Sequence, residues 1–219
     1  MKYQLTEAFR QKNADQILRI SADLGHYIGD ANVPLHTTEN YNGQLTGQYG
    51  IHGFWESRLP ELFADQYDYF FEPARYERHP NARAWKAVTD AHAALDSVLG
   101  FERELTLLFG DDKKFSFETR NGITTKVYSK EFSEAYHQKL AGQVERRMRA
   151  AIQMVGDFWL TAWIEAGQPN LDGLKQATQP QEPTENQQEP PLKARPHDTG
   201  SLNPRMFGGW GMALFRKKE

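Results

Sequence analysis

His26, Asp30, His36, His52 and Glu56, all within thirty-one residues of this chain, are side chains able to ligate a metal ion. His26 with Asp30, and His52 with Glu56, form two His-x-x-x-carboxylate pairs, a spacing that stacks both side chains on one face of a helix. His36 lies between the pairs. Imidazole nitrogen and carboxylate oxygen are donors that zinc takes at about 2.0–2.2 Å, and paired zinc ions suit cleavage of phosphate esters. Each pair taken alone is more often structural, on a solvated helix face, than metal-binding, so it is the whole string that points to a metal centre. The chain has no cysteine, which excludes disulfides, thiolate zinc sites and a Cys nucleophile and leaves His, Asp and Glu as ligands. Neither a Gly-rich phosphate loop nor a Gly-x-Ser-x-Gly elbow is present, so phosphate binding falls to metal ions.

The elements that must carry these residues can be read from periodicity. Asn13 is a good N-cap for a helix through ADQILRISADLGHYIGD, with Ile17, Ile20, Leu24, Tyr27 and Ala31 facing inward and Asp23, His26 and Asp30 on the adjacent face. Pro34 ends that helix region, TTENYNGQLTGQYGI reads as a loop, and HGFWESRLPEL reads as a short helix with His52 and Glu56 one turn apart. A further helix is predicted from Ala82 to Phe109, with Trp85, Val88, Leu95, Leu99 and Leu105 on one stripe, closed by Gly110. His92 on that stripe is predicted to be buried and hydrogen-bonded. Asn121 and Gly122 join two β-prone runs into a hairpin. A long core helix is predicted from Ser129 to Ala166, with Phe132, Tyr136, Leu140, Val144, Met148, Ile152, Val155, Trp159 and Trp163 in helical period. The expected fold class is therefore all-α with one small β-hairpin.

The string HYIGDANVPLHTTEN, His26 to Asn40, followed by HGFWE, closely resembles the signature of bacterial zinc-dependent phospholipase C, shared in looser form by the fungal and plant single-strand-specific nucleases. His26, Tyr27, Gly29, Asp30, Pro34, His36 and Asn40 stand at the recurring positions, and Thr38 stands where the pattern prefers Pro or Ala. The resemblance implies a phospholipase C/nuclease-like helical domain that hydrolyses phosphate esters with zinc, up to three ions in the family. It implies that His26 binds the first zinc, that Asp30 bridges it to a third and is the catalytic carboxylate, and that His36, His52 and Glu56 hold the remaining ion. In the family an N-terminal Trp, an early His, an Asp and another His complete the first and third sites. These have no counterpart in this chain, so about one strongly bound zinc and poor hydrolysis are expected. The alternative is a catalytically incomplete, zinc-stabilised domain. A periplasmic or secreted location is what the family implies.

The whole-chain composition limits the partners. With 219 residues, 39% of them hydrophobic, the chain can bury one sizeable core, expected over residues 1–170. A net charge of −3 argues against a stable nucleic-acid partner held by a basic surface, so any grip on a phosphodiester substrate, phospholipid or nucleic acid, must be local. Neither a signal peptide nor a transmembrane run is read in the sequence. Residues 171–219, rich in Gln and Pro with a short apolar end, are expected to form a flexible tail.

Overall fold

The computed structural model describes residues 1–120, 122–172 and 174, all within the compact unit Met1–Thr178. The Gln- and Pro-rich tail and Asn121 of the predicted hairpin lie outside the described residues. Helices α1 (Lys2–Arg10) and α2 (Ala14–Ala31) lead into a 3-10 turn, Pro34–Thr37. A loop then reaches a helical run made of α3 (Ile51–Gly53), a π-helical segment (Phe54–Arg58) and α4 (Leu59–Phe63). After a 3-10 turn (Ala64–Gln66) and an extended stretch come α5 (Pro80–Ala93), α6 (Leu95–Phe109) and α7 (Asp111–Lys114). Strands β1 (Phe115–Arg120) and β2 (Ile123–Tyr128) pair antiparallel, from Phe115 opposite Tyr128 to Arg120 opposite Ile123, and α8 (Lys130–Lys139) and α9 (Gln143–Glu165) follow. The fold is thus mostly helical with one small hairpin, and no helix among the described residues is long and apolar enough to cross a membrane.

Two buried clusters organise these elements. One gathers Leu35, Ile51, Phe54, Trp55, Leu59, Val98, Leu105, Tyr128, Phe132, Tyr136 and Val144; the other gathers Leu5, Ala8, Ile20, Leu24, Ile28, Ala87, Met154, Phe158 and Ala162. Asn13 caps α2 as predicted, its side chain accepting from the Gln16 N–H at 3.0 Å, a contact that contributes roughly 1 kcal/mol. The inward stripe of α2 runs through Ile20, Leu24 and Ile28, whereas Tyr27 is 59% exposed, contrary to the predicted stripe. A step of four from Leu24 reaches Ile28 and a step of three reaches Tyr27; the β-branched aliphatic side chain takes the core and the amphipathic phenol takes the rim.

Both long predicted helices are broken, for identifiable reasons. The stretch Ala82–Phe109 is α5 and α6, separated at Ala94, whose carbonyl accepts from the Ser97 hydroxyl at 2.7 Å. The break moves the chain from one cluster, served by Ala87, to the other, served by Leu95, Val98 and Leu105. Trp85, placed on the buried stripe by a continuous helix, is 56% exposed, and His92 is exposed too. The stretch Ser129–Ala166 is α8 and α9, parted where Ala141 and Gly142 take φ of 48° and 74°. Two consecutive left-handed residues end a helix, and Gly142 was the available signal. Beyond the break Ile152 and Trp159 turn outward. Helix α1 had no predicted counterpart; Leu5, Ala8 and Phe9, three and four apart, bury against α2 and α9.

Candidate metal centre

Each expected ligand is adjacent or nearly adjacent to a residue that anchors its backbone in a core. His36 follows Leu35 and His52 follows Ile51, both fully buried, and Glu56 follows Trp55, which is 2% exposed. Trp55 is a packing residue whose indole N–H donates to Gln143 Oε1 at 3.2 Å. Asp30 lies two residues beyond Ile28 of the other cluster. Pro34 opens the 3-10 turn that carries His36, and its φ near −65° suits that first position. The turn packs against α2, α5 and α6, and Thr37 Oγ1 lies 3.0 Å from Nδ1 of the exposed His92.

Glu56 sits in the π-helical segment, where the Leu59 N–H reaches back five residues to the Phe54 carbonyl. The cause lies at Pro60: a proline has no N–H to give the carbonyl four residues earlier and its ring would crowd it, so the run widens by one residue there. Such bulges are frequent at functional sites.

The five side chains form one continuous group. Glu56 Oε2 lies 2.7 Å from His52 Nε2 and 3.5 Å from His36 Nε2. His36 Nε2 lies 3.7 Å from Asp30 Oδ1, and Asp30 Oδ2 lies 3.4 Å from His26 Nε2. The rings of His36 and His52 meet edge to face with centroids 4.7 Å apart. One ligand atom from each of His36, His52 and Glu56 lies within 4.8 Å of the other two. Donors about 2.0–2.2 Å from a common tetrahedral ion are separated by roughly 3.3–3.6 Å, so small side-chain rotations bring these three to ligand distance. Two imidazoles and one carboxylate are a donor set of catalytic zinc sites, which keep the fourth position open.

The surroundings favour that use. His52 Nδ1 lies 3.2 Å from the Tyr41 carbonyl, which fixes the ring and turns Nε2 toward Glu56, as backbone carbonyls do for metal-ligating histidines. The loop bearing Tyr41 is held by Asn40, whose Oδ1 accepts from the Leu45 N–H at 2.8 Å and whose Nδ2 donates to Thr46 Oγ1 at 2.9 Å. Gly43, with φ of 74°, is obligatory in that loop, because a Cβ there would lie 2.2 Å from the Gln48 carbonyl oxygen. Gln48 in turn donates to the Leu99 carbonyl of α6 at 2.8 Å and to the buried Glu102. Partial loss of solvation weighs against a charged His36, but the Glu56 hydrogen bond and the Asp30 and Glu56 charges together outweigh it and raise its pKa. Hydrogen bonds from His36 and then His52 hold the Glu56 carboxyl far below the usual carboxylate range against a partial loss of solvation.

The structure therefore brings His36, His52 and Glu56 to one point and strings Asp30 and His26 out beside them. His26 is the outermost, with its side chain 53% exposed. Asp23, on the same face of α2 one turn before His26, is exposed and forms no ion pair among the described residues. The Tyr41 carbonyl was missed in the sequence because a backbone atom has no signature there; Pro60, four residues after Glu56, was the visible sign of the distorted helix. No family model matches this chain, and no curated protein or solved structure is significantly similar to it.

Proposed function

We propose that this domain is a zinc-dependent hydrolase acting on phosphate esters, with His36, His52 and Glu56 as the ligands of one zinc ion. The convergence of these three donors within 4.8 Å carries the reading. The resemblance of the His26–Asn40 string to zinc-dependent phospholipase C supports the substrate class. Zinc, when bound, supplies a Lewis acid for a phosphoryl oxygen and acidifies water. The chain's own residues do the rest. The Tyr41 carbonyl holds the His52 ring with Nε2 turned toward the donor group, and Asp30, 3.7 Å from His36, accepts the proton of the attacking water. His26, at 3.4 Å, orients the Asp30 carboxylate and pairs with it as the two donors offered to any further ion.

Elemental analysis and hydrolysis of a chromogenic phosphodiester test the proposal on chelator-treated and zinc-reconstituted protein. Zinc should be retained and low turnover restored; Asp30→Asn should keep the zinc and lose about 10²–10⁴-fold of that turnover. Hydrolysis indifferent to both chelator and Asp30→Asn would sink the assignment. The second reading, a zinc-stabilised domain without catalysis, is favoured by the exposure of His26 and the mere two donors it forms with Asp30. Its signature is a zinc-dependent rise in melting temperature with no turnover at all.

A further inference from the structure

A small open cleft between α5 and α9 is lined by Arg83, Lys86, Asp90 and Arg147. Its charges do not balance internally. Asp90 receives Lys86 Nζ on both carboxylate oxygens, at 2.9 and 2.8 Å. Arg83 and Arg147 form no ion pair among the described residues. Arg147 Nη1 is buried with no hydrogen-bond partner among them, a costly arrangement for a cationic donor. The carboxylates on the other side of Arg83 are also engaged elsewhere. Glu72 pairs with Arg75 at 3.1 Å, Glu77 accepts from the His79 N–H at 2.8 Å, and Asp157 accepts from the Arg75 N–H at 2.8 Å.

We infer that this cleft is a phosphate-binding site, in which the guanidinium groups of Arg83 and Arg147 grip one phosphate group, free or as a monoester. Two planar guanidinium forks match the oxygens of a phosphate, and charge-assisted bonds of this kind are the strong ones. A dianion cancels the two uncompensated charges and gives Arg147 Nη1 its missing acceptor. Burial, and the neighbouring Arg146 and Arg83, already press the Arg147 pKa below the usual guanidinium range against the attraction of Asp90. The overall acidity of the chain leaves this local cationic pair as a selective place for an anion. The inference does not rest on the zinc centre, which is built from other residues.

Calorimetric titration of the full-length protein, kept metal-free by chelator, tests it with inorganic phosphate and with glycerol phosphate at constant ionic strength in chloride. Saturable binding of one anion per chain is expected. Tighter binding of phosphate assigns the site to the free ion, and tighter binding of glycerol phosphate assigns it to an ester. Arg83→Met and Arg147→Met should each weaken binding by about tenfold or more, while His52→Ala, which removes a zinc ligand, should leave it unchanged. Phosphate should raise the melting temperature of the parent and not of Arg147→Met, whose anion-free melting temperature should be no lower than the parent's because the enclosed, unpartnered Nη1 has gone. Absence of saturable binding, or undiminished binding in the Arg83→Met variant, overturns the inference.

Discussion

Glu56 Oε2 serves two imidazoles at once, at 2.7 and 3.5 Å, contacts that a metal ion held by this group would replace. Without metal, the same contacts make stability depend on pH. His36 has a raised pKa when folded, so its contribution is complete below its ordinary value of 6.5 and is lost as pH rises through the raised one. Glu56 has a depressed pKa, so its contribution is present above its ordinary 4.5 and fades as pH falls toward the depressed one. In chelator, the melting-temperature difference between parent and Glu56→Gln should therefore peak between about pH 4.5 and 6.5 and shrink toward about pH 8.5. Equal differences at about pH 5.5 and pH 8.5 would show that His36 and Glu56 do not share a proton-dependent contact. The grouping of the five side chains was legible in the sequence only through the whole string from His26 to Glu56, because each i, i+4 pair of imidazole and carboxylate by itself also fits a solvated helix face. His92 was misread because its burial depended on a helix continuing through Ala94, which no single residue type announces.

Between residues and fold stand two elements that set the donor geometry: the π-helical segment and the loop clamped to α6. Pro60→Ala restores an N–H able to reach the Glu56 carbonyl, so the run can close as ordinary α-helix. Removing the extra residue of the bulge turns Glu56 about the axis relative to His52, since each residue subtends about 100°. Zinc affinity should fall while the melting temperature of the metal-free protein stays level or rises. Unchanged affinity would mean that the bulge does not position Glu56. On the other side, Lys114 Nζ meets the fully buried Glu102 at 2.6 Å, and Glu102 receives Gln48 from the loop. Lys114→Met strands that carboxylate and should cost about 3–5 kcal/mol in chemical denaturation, with Glu102→Leu/Lys114→Met recovering most of it. A loss well under 1 kcal/mol would mean that water reaches Glu102. Helix α2, its Asn13 cap and the hairpin were readable because local chemistry decides them. The breaks at Ala94 and Ala141–Gly142 were less so, because they serve the exchange of chain between two cores, and that is a tertiary demand.

Over the whole molecule the donors divide between the two buried clusters. His36, His52 and Glu56 stand on elements of the cluster built round Phe54 and Phe132, whereas His26 and Asp30 stand on α2, which belongs to the cluster with Met154 and Phe158. A zinc ion held by the first three ties the Pro34–Thr37 turn to the helical run beginning at Ile51, which are already packed into one core. Such an ion should stabilise by mass action, by about 2.7 kcal/mol when free zinc stands at a hundred times its dissociation constant. His26 and Asp30 add two donors on a neighbouring element, and two donors leave most of a coordination shell to water. The chain should therefore bind about one zinc tightly. His26→Ala should keep that ion and its thermal stabilisation, His52→Ala should lose both, and chromogenic phosphodiester hydrolysis should be weak in the parent. Elemental analysis of the three proteins after dialysis, read beside their melting temperatures with and without chelator, gives the answer. Two or more tightly held ions in the parent, one of them lost in His26→Ala, would show that α2 supplies a second full site with donors beyond His26 and Asp30.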